Sequence, residues 1–186
     1  MQTTQHPPLP ALRCLGNLAD LRPVIVTDTR EQAPLVFTNL ITVPGTLTSG
    51  DYAPRGLDHI AAIERKSAAD LVSSLIHDRA RFERELHRLR GMQFARVLVT
   101  ASRESIAAGA YRSNAKPRAV LASCDTFEVR YGVPFVFVED DTAAALLVER
   151  WVWLVCREVV SCQANDLARG HGLTRRATAA ASTPAP

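Results

Sequence analysis

The chain has no CxxC pair and no histidine at zinc-finger spacing from any of its four cysteines, Cys14, Cys124, Cys156 and Cys162. That absence argues against a structural zinc site and against a disulfide framework, and leaves reduced thiols of a cytosolic protein as the expectation. A long apolar run is lacking too. Met1 to Leu9 shows no basic stretch followed by an apolar one, and the most apolar segment, near residues 143 to 156, is broken by Glu149 and Arg150. Neither a signal peptide nor a membrane span is expected, which points to a cytoplasmic or nucleoid-associated chain. Excess charge of one sign is small as well, since 22 Lys and Arg against 19 Asp and Glu leave a formal +3 over 186 residues. So mild a balance is compatible with nucleic acid without specifying it, and the placement of charge matters more than the sum. With 47% hydrophobic residues, the chain can bury one sizeable core rather than two.

What is present is concentrated. Gly50-Asp51 is followed, across a stretch with Pro54 and Gly56, by Glu64-Arg65-Lys66 and then Asp70. Pro54 and Gly56 read as a turn between two short strands, which would bring Asp51 and Glu64 face to face. Side chains alternate along a strand, so Glu64 and Lys66 should project from one face and Arg65 from the other. Two carboxylates and an ammonium sharing a pocket suit phosphodiester hydrolysis. Carboxylate oxygens hold Mg²⁺, or Mn²⁺ in its place; the ion lowers the pKa of its water, and a lysine can orient the nucleophile or offset charge on the phosphoryl oxygens. An isolated Glu-Arg-Lys would more often be a solvated charge run, but here the spaced Asp and the upstream Gly-Asp accompany it.

These residues resemble the signature of the XPF family of structure-specific endonucleases, in the restriction-endonuclease-like superfamily. Val24 to Glu31 is similar to that family's first strand with its Asp-x-Arg-Glu ending, and Thr46 to Ser49 to its approach to Gly-Asp. Asp70-Leu71, Ser74-Leu75 and Arg79 stand where the family has Asp-Leu, Ser-aliphatic and Arg. The resemblance spans about residues 22 to 160. It implies cleavage leaving a 5′-phosphate, and a phosphate or carboxylate contact for Arg79, whose bland alternative is a side chain snorkelling from the edge of an apolar stripe. The chain departs from the family in carrying Glu83 where Gln is usual, and in having no tandem helix-hairpin-helix region after the nuclease segment.

Along the chain, residues 1–20 hold Pro7, Pro8 and Pro10 and read as a flexible leader, 21–163 as the nuclease domain and 164–186 as a disordered tail. Strands are expected over Arg22–Thr27, Leu40–Val43 (ended by Pro44-Gly45), the Asp51 hairpin, Arg96–Thr100 and Phe135–Val138. One long helix should run from Ser67 to about Gly91 with the stripe Leu71, Leu75, Phe82, Leu86 and Leu89. Arg81, Arg84, Arg88 and Arg90 read as its solvated surface. A brief helix is expected over Ser102–Ala108, and another from Pro117 to Gly132. Between them, Tyr111, Arg112, Asn114, Lys116 and Arg118 form a basic loop that could track a nucleic acid backbone with Tyr111 stacking on a base, or could equally be an ordinary exposed loop. The helix at 142–162 has apolar residues, Trp151 and Trp153 included, over more than half its circumference. Either it is sandwiched in the fold or it meets a partner, as a homodimer or heterodimer, and the partner is the reading preferred here.

The alternation of strands and helices implies an α/β fold, restriction-endonuclease-like, with a central mixed sheet flanked by helices. The reading is a Mg²⁺-dependent endodeoxyribonuclease acting at branched or flapped DNA in repair, recombination or replication. Asp51 and Glu64 are its metal ligands, with the Arg65 backbone carbonyl as a further ligand, and Asp28 completes the acidic cluster. Lys66 assists the attacking water and Asp70 holds Lys66 or Arg65. Arg30, Arg65, Arg79, Arg112, Lys116 and Arg118 are the DNA contacts. Alternatives are a catalytically silent DNA-binding subunit that stabilises an active partner, and an interaction module in which the acidic hairpin is coincidental.

Overall fold

Alternation along the strands divides the core of this protein in two. The computed structural model describes residues 22–170; the expected leader lies outside that range. In chain order the elements are β1 (Val24–Asp28), β2 (Ile41–Gly45), β3 (Tyr52–Pro54), β4 (Ala61–Lys66), α1 (Ala68–Ile76), α2 (Arg79–Leu89), β5 (Phe94–Val99), α3 (Arg103–Ala107), α4 (Pro117–Tyr131), β6 (Phe135–Phe137) and α5 (Asp141–Gly170). The strands form one mixed sheet in the order β2-β1-β3-β4-β5-β6. β1 with β2, β4 with β5 and β5 with β6 are parallel, whereas β3 runs antiparallel to both β1 and β4. On one face, Ala62, Val97 and Val99 pack with Leu71, Leu75, Phe82, Leu86, Ile106 and Phe127 from α1 to α4. On the other, Ile25, Ile63 and Leu98 pack with Ala144, Val148, Val152 and Trp153 of α5. This is the α/β architecture expected, a central mixed sheet with helices on both faces.

Two strand limits move for local reasons. β1 starts at Val24, after Pro23, and β2 continues through Pro44 and Gly45 rather than ending before them as Pro-Gly implies. β2 is an edge strand bonded to β1 alone, so the missing N–H of Pro44 disrupts no second ladder. Gly45 is required by close approach, because a Cβ there would sit 2.7 Å from Cγ1 of Val26.

The single helix expected from Ser67 to Gly91 is two. Ser67 caps α1 by accepting from the Asp70 N–H, and the chain leaves helical geometry at Asp78, after which α2 begins. His77 N–H and Asp78 N–H both donate to the Ser73 carbonyl, closing α1. Periodicity missed the break because Leu75 and Phe82 are seven residues apart, which keeps the apolar stripe in phase across a short interruption.

α5 is longer than the expected 142–162. It is helical to Gly170, so the predicted tail is helix over 164–170, and 171–186 lie outside the described residues. Its apolar breadth is largely absorbed within the chain. Trp153 is wholly buried, and Trp151 meets Phe94 edge-on at 5.8 Å. Deleting a side chain as large as a buried Trp costs about 3–5 kcal/mol, so Trp153 belongs to the core and needs no partner. Among the described residues no helix is long and apolar enough to cross a membrane.

Candidate active site

The Gly50-Asp51 pair works through its backbone first. Gly50 has φ +77°, and a Cβ on it would meet the Ala62 Cβ and the Ile63 carbonyl at 3.0 Å. The residue must therefore be glycine on two counts, conformation and space. The turn lets Asp51 N–H donate to the Ile63 carbonyl at 2.8 Å, while Asp28 N–H donates to the Asp51 carbonyl at 2.8 Å. Asp51 is thus fixed between β1 and β4 before its side chain does anything. Its Oδ2 accepts from the Arg65 N–H at 2.7 Å.

The β4 alternation comes out as read. Glu64 and Lys66 share the face of Ala62 and line one cavity of about 340 Å³ with Asp51, Ser49, Glu85 and Arg88. Glu64 is 4% exposed, and Lys66 Nζ donates to its Oε1. The same ammonium lies 3.9 Å from Glu85 Oε2 and 5.3 Å from the centre of the Phe82 ring. Arg65 turns to the α5 face, where it pairs with Asp141 at 2.9 Å and Glu31 at 3.7 Å.

Charge in the cavity is held under tension. Burial, chiefly, pushes the Asp51 carboxyl up to about 6; Glu31 and Glu85 add to this, while the Arg65 N–H and Lys66 oppose it. Burial also carries Glu64 well above the ordinary carboxylate range, and the Asp51 charge reinforces it. For Lys66, burial pulls downward, but Glu64, Glu85 and Asp51 outweigh it and the ammonium is stabilised. Two desolvated, mutually repelling carboxylates beside a lysine are a hard-oxygen donor set that a divalent cation would relieve. Mg²⁺ commonly takes one or two carboxylates and completes its shell with water and substrate oxygens, so this pair fits it. Among the described residues no three His, Cys, Asp or Glu side chains converge as a metal-ligand group.

Of the other expected site residues, Asp28, Arg30 and Asp70 line the same cavity, and the remainder lie outside it. Asp28 extends the acidic cluster with both its oxygens already accepting hydrogen bonds. Oδ1 accepts from Arg30 N–H (2.8 Å) and Nε (2.7 Å), and Oδ2 from an Arg30 terminal nitrogen (2.9 Å) and Leu47 N–H (2.7 Å). That bidentate grip holds the Asp28 carboxyl down at about 2. Asp70 is exposed and bonded to Ser67 Oγ at 2.6 Å; it holds neither Lys66 nor Arg65, whose carboxylate partners are Glu64 and Glu85, and Glu31 and Asp141. Arg65, turned through the sheet and 10% exposed in its side chain, is not presented for DNA contact.

Arg79 stacks 4.3 Å from the centre of the Phe127 ring and pairs with Glu83 at 3.5 Å, one turn along α2. It points neither into the cavity nor at an active-site carboxylate. Glu83, the residue in place of the family Gln, also takes Arg130 at 3.2 Å. Arg112, Lys116 and Arg118 are exposed at the start of α4, away from the cavity lining. Tyr111 is not free to stack, since its hydroxyl donates to the Ala115 carbonyl at 2.9 Å and its ring packs on the core.

The structure adds Arg81, Glu85 and Arg88 of α2, of which Arg81 and Arg88 are expected from the sequence on a solvated surface. All three line the cavity, and Arg88 Nε donates to Ser49 Oγ at 3.2 Å. Their signal was present in the spacing: 81, 85 and 88 follow the i, i+4, i+7 rule of one helical face. Arg30 also reaches the cavity, with its side chain 69% exposed while its inner edge grips Asp28.

A family model described as the ERCC4 domain matches residues 27–150, a range that holds Asp28, Asp51, Glu64 to Lys66 and the α2 face. No curated protein matches the chain. Among solved structures, XPF from Aeropyrum pernix is similar at 20% identity with a TM-score of 0.58, over 78% of this chain and 71% of that one. XPF from Aeropyrum pernix in complex with DNA is similar at 22% identity and TM-score 0.56, over 74% and 66% of the two chains. At such identities the likeness is one of fold.

Proposed function

Since the chain belongs to the ERCC4 domain family, we propose that it is a Mg²⁺-dependent endodeoxyribonuclease that hydrolyses phosphodiester bonds at branched or flapped DNA in repair, recombination or replication, within the cytoplasm or at the nucleoid. The observation that carries this reading is the joint burial of Asp51 and Glu64 against Lys66 in one cavity. The DNA complex of the similar XPF structure agrees with a DNA substrate. Asp51 and Glu64, with the Arg65 carbonyl, are the groups to hold Mg²⁺ or Mn²⁺. When bound, such an ion supplies an activated water and offsets phosphoryl charge. Lys66 orients that water and neutralises charge on the non-bridging oxygens. Arg30, kept in place by Asp28, and Arg81 and Arg88 from α2 grip the phosphates beside the scissile bond. Water adds to phosphorus, the bond to the 3′ oxygen breaks, and a 5′-phosphate and a 3′-hydroxyl remain. Asp70 orders the start of α1, and the exposed Arg112, Lys116 and Arg118 add outlying phosphate contacts.

Cleavage of flaps, forks, Holliday junctions and matched duplex, with and without Mg²⁺, tests the assignment. The expected result is nicking that requires the ion, with weak binding that falls steeply with salt because phosphate contacts release counterions, and only modest preference for branched DNA. Arg88→Ala should weaken binding more than Arg79→Ala, since Arg88 faces the cavity and Arg79 does not. Ion-independent cleavage would refute the metal-dependent reading, and no cleavage on any substrate would refute the enzymatic one.

The proposal includes assembly through α5, where Leu146, Leu154, Val155 and Val159 stay partly exposed after the inner face is buried. Light scattering should find a homodimer that Leu154→Glu reduces to a monomer. A wild-type chain strictly monomeric at micromolar concentration ends the homodimer version and leaves a different partner for that face.

A further inference from the structure

Glu85 is a further carboxylate at the site, contributed by α2 rather than by the strands, and its partner is an ammonium that already has another. Lys66 Nζ bonds to Glu64 Oε1 and stands 3.9 Å from Glu85 Oε2. Glu85 makes no hydrogen bond among the described residues, so its carboxylate is free to take one. Lys66 has little freedom to leave for water, because its side chain is 14% exposed and its ammonium rests against the Phe82 ring. Phe82 and Glu85 are three residues apart on α2, so the helix turn that supports the lysine also sets the second acceptor beside it.

A divalent ion and an ammonium cannot share Glu64 without strong repulsion at short range. We propose that Glu85 is a positioning residue: when a divalent cation takes Asp51 and Glu64, the Lys66 ammonium passes from Glu64 to Glu85, which keeps it beside the attacking water. This rests on the metal-dependent reading above and assigns the resting Lys66–Glu64 pair a role, that of an internal counter-ion which the entering metal displaces. No covalent bond changes. The exchange of partners is local, since the second acceptor is already within 4 Å of the ammonium.

The test is Mn²⁺ titration by calorimetry on the full chain without DNA, in a double-mutant cycle of Lys66→Met and Glu85→Gln. Glu85→Gln in the otherwise unaltered chain should weaken Mn²⁺ binding about tenfold, because the displaced lysine loses its acceptor. Lys66→Met alone should tighten binding, as the competitor for Glu64 is gone. With Lys66 already Met, adding Glu85→Gln should cost no more than about twofold, the remaining direct attraction between Glu85 and the ion. Equal losses in both backgrounds would mean that Glu85 acts on the metal itself and would overturn the proposal, as would no loss in either. Melting of each metal-free variant with a single wild-type-like transition establishes that binding, not folding, has changed. If the unaltered chain takes up no Mn²⁺, the metal reading and this proposal fall together; if it does and Glu85→Gln is silent, only this proposal falls.

Discussion

Asp51→Asn or Glu64→Gln is expected to lower the cleavage rate about a thousandfold or more while leaving the metal-free protein as stable as before or more stable. The two halves of that expectation have one cause. Asp51 is pushed up to about 6 in the folded chain, against an ordinary value of 3.8. A raised carboxyl is one the fold prefers protonated, so the folded state binds the extra proton between those two values. Stability therefore falls as pH rises from about 4 through about 6, and above that the full penalty is present, on the order of 3 kcal/mol for one group. Asp28 works in the opposite sense. Held at about 2 by Arg30, it adds stability that is complete above its unfolded value and lost only as pH falls through the folded one.

Removing the Asp51 charge relieves the first penalty without touching the second. The metal-free Asp51→Asn protein should melt about 8 °C higher than wild type near neutral pH, and the two should converge as pH falls toward 4. Mg²⁺ should raise the melting temperature of the unaltered protein by neutralising the same repulsion, and should do much less for either variant. Calorimetry across pH, with and without the ion, reads all of this. Wild-type cleavage by either single variant would remove Asp51 and Glu64 from the metal site. A melting temperature that drops sharply would instead make these carboxylates structural.

Glu149→Ala is expected to be strongly destabilising, on the opposite side of the sheet from the cavity. Glu149 is 1% exposed, and its carboxylate is an acceptor for three consecutive backbone N–H groups of the chain between β1 and β2: Thr38 at 2.9 Å, Asn39 at 2.6 Å and Leu40 at 3.0 Å. The Asn39 side-chain amide donates to its other oxygen at 2.5 Å. Truncation leaves those donors facing a void, at about 1–3 kcal/mol for each unsatisfied group. A total near 4 kcal/mol, about a 10 °C fall in melting temperature, is a sober sum because some donors will reach water. Glu149→Gln keeps an acceptor oxygen and should lose about half as much. Thermal melts of the two variants check the ordering, and wild-type melting by Glu149→Ala would show that this stretch is held by Leu35 and Leu40 packing alone. Cleavage at a temperature where both variants are folded should persist, since the cavity lies across the sheet.

The hairpin that carries Asp51, Glu64 and Lys66 was legible in the amino-acid order because the rules that form it are local. A glycine that must take positive φ precedes Asp51, and a period of two sends Glu64 and Lys66 one way and Arg65 the other; neither rule needs a distant residue. The α/β class was legible for the same reason, strand and helix periods being written in short windows. Partnership was not. Arg65 meets Glu31 and Asp141, far off in sequence on either side, and Asp28 takes the Leu47 N–H only because the chain returns past β1. Arg79 and Arg88 look alike in sequence, and one stacks on Phe127 while the other faces the cavity because nine residues put them on opposite sides of α2, and the docking of α2 selects which side meets the cavity. Glu149 looked like a break in an apolar segment and proved to be the acceptor that pins the stretch leading into β2. A charged side chain finds its partner by where helices dock, and docking is decided by the volume and burial of the whole core rather than by spacing along the chain. The order of residues therefore determined which charged groups this protein has to offer a site, and the tertiary structure decided which of them face one another.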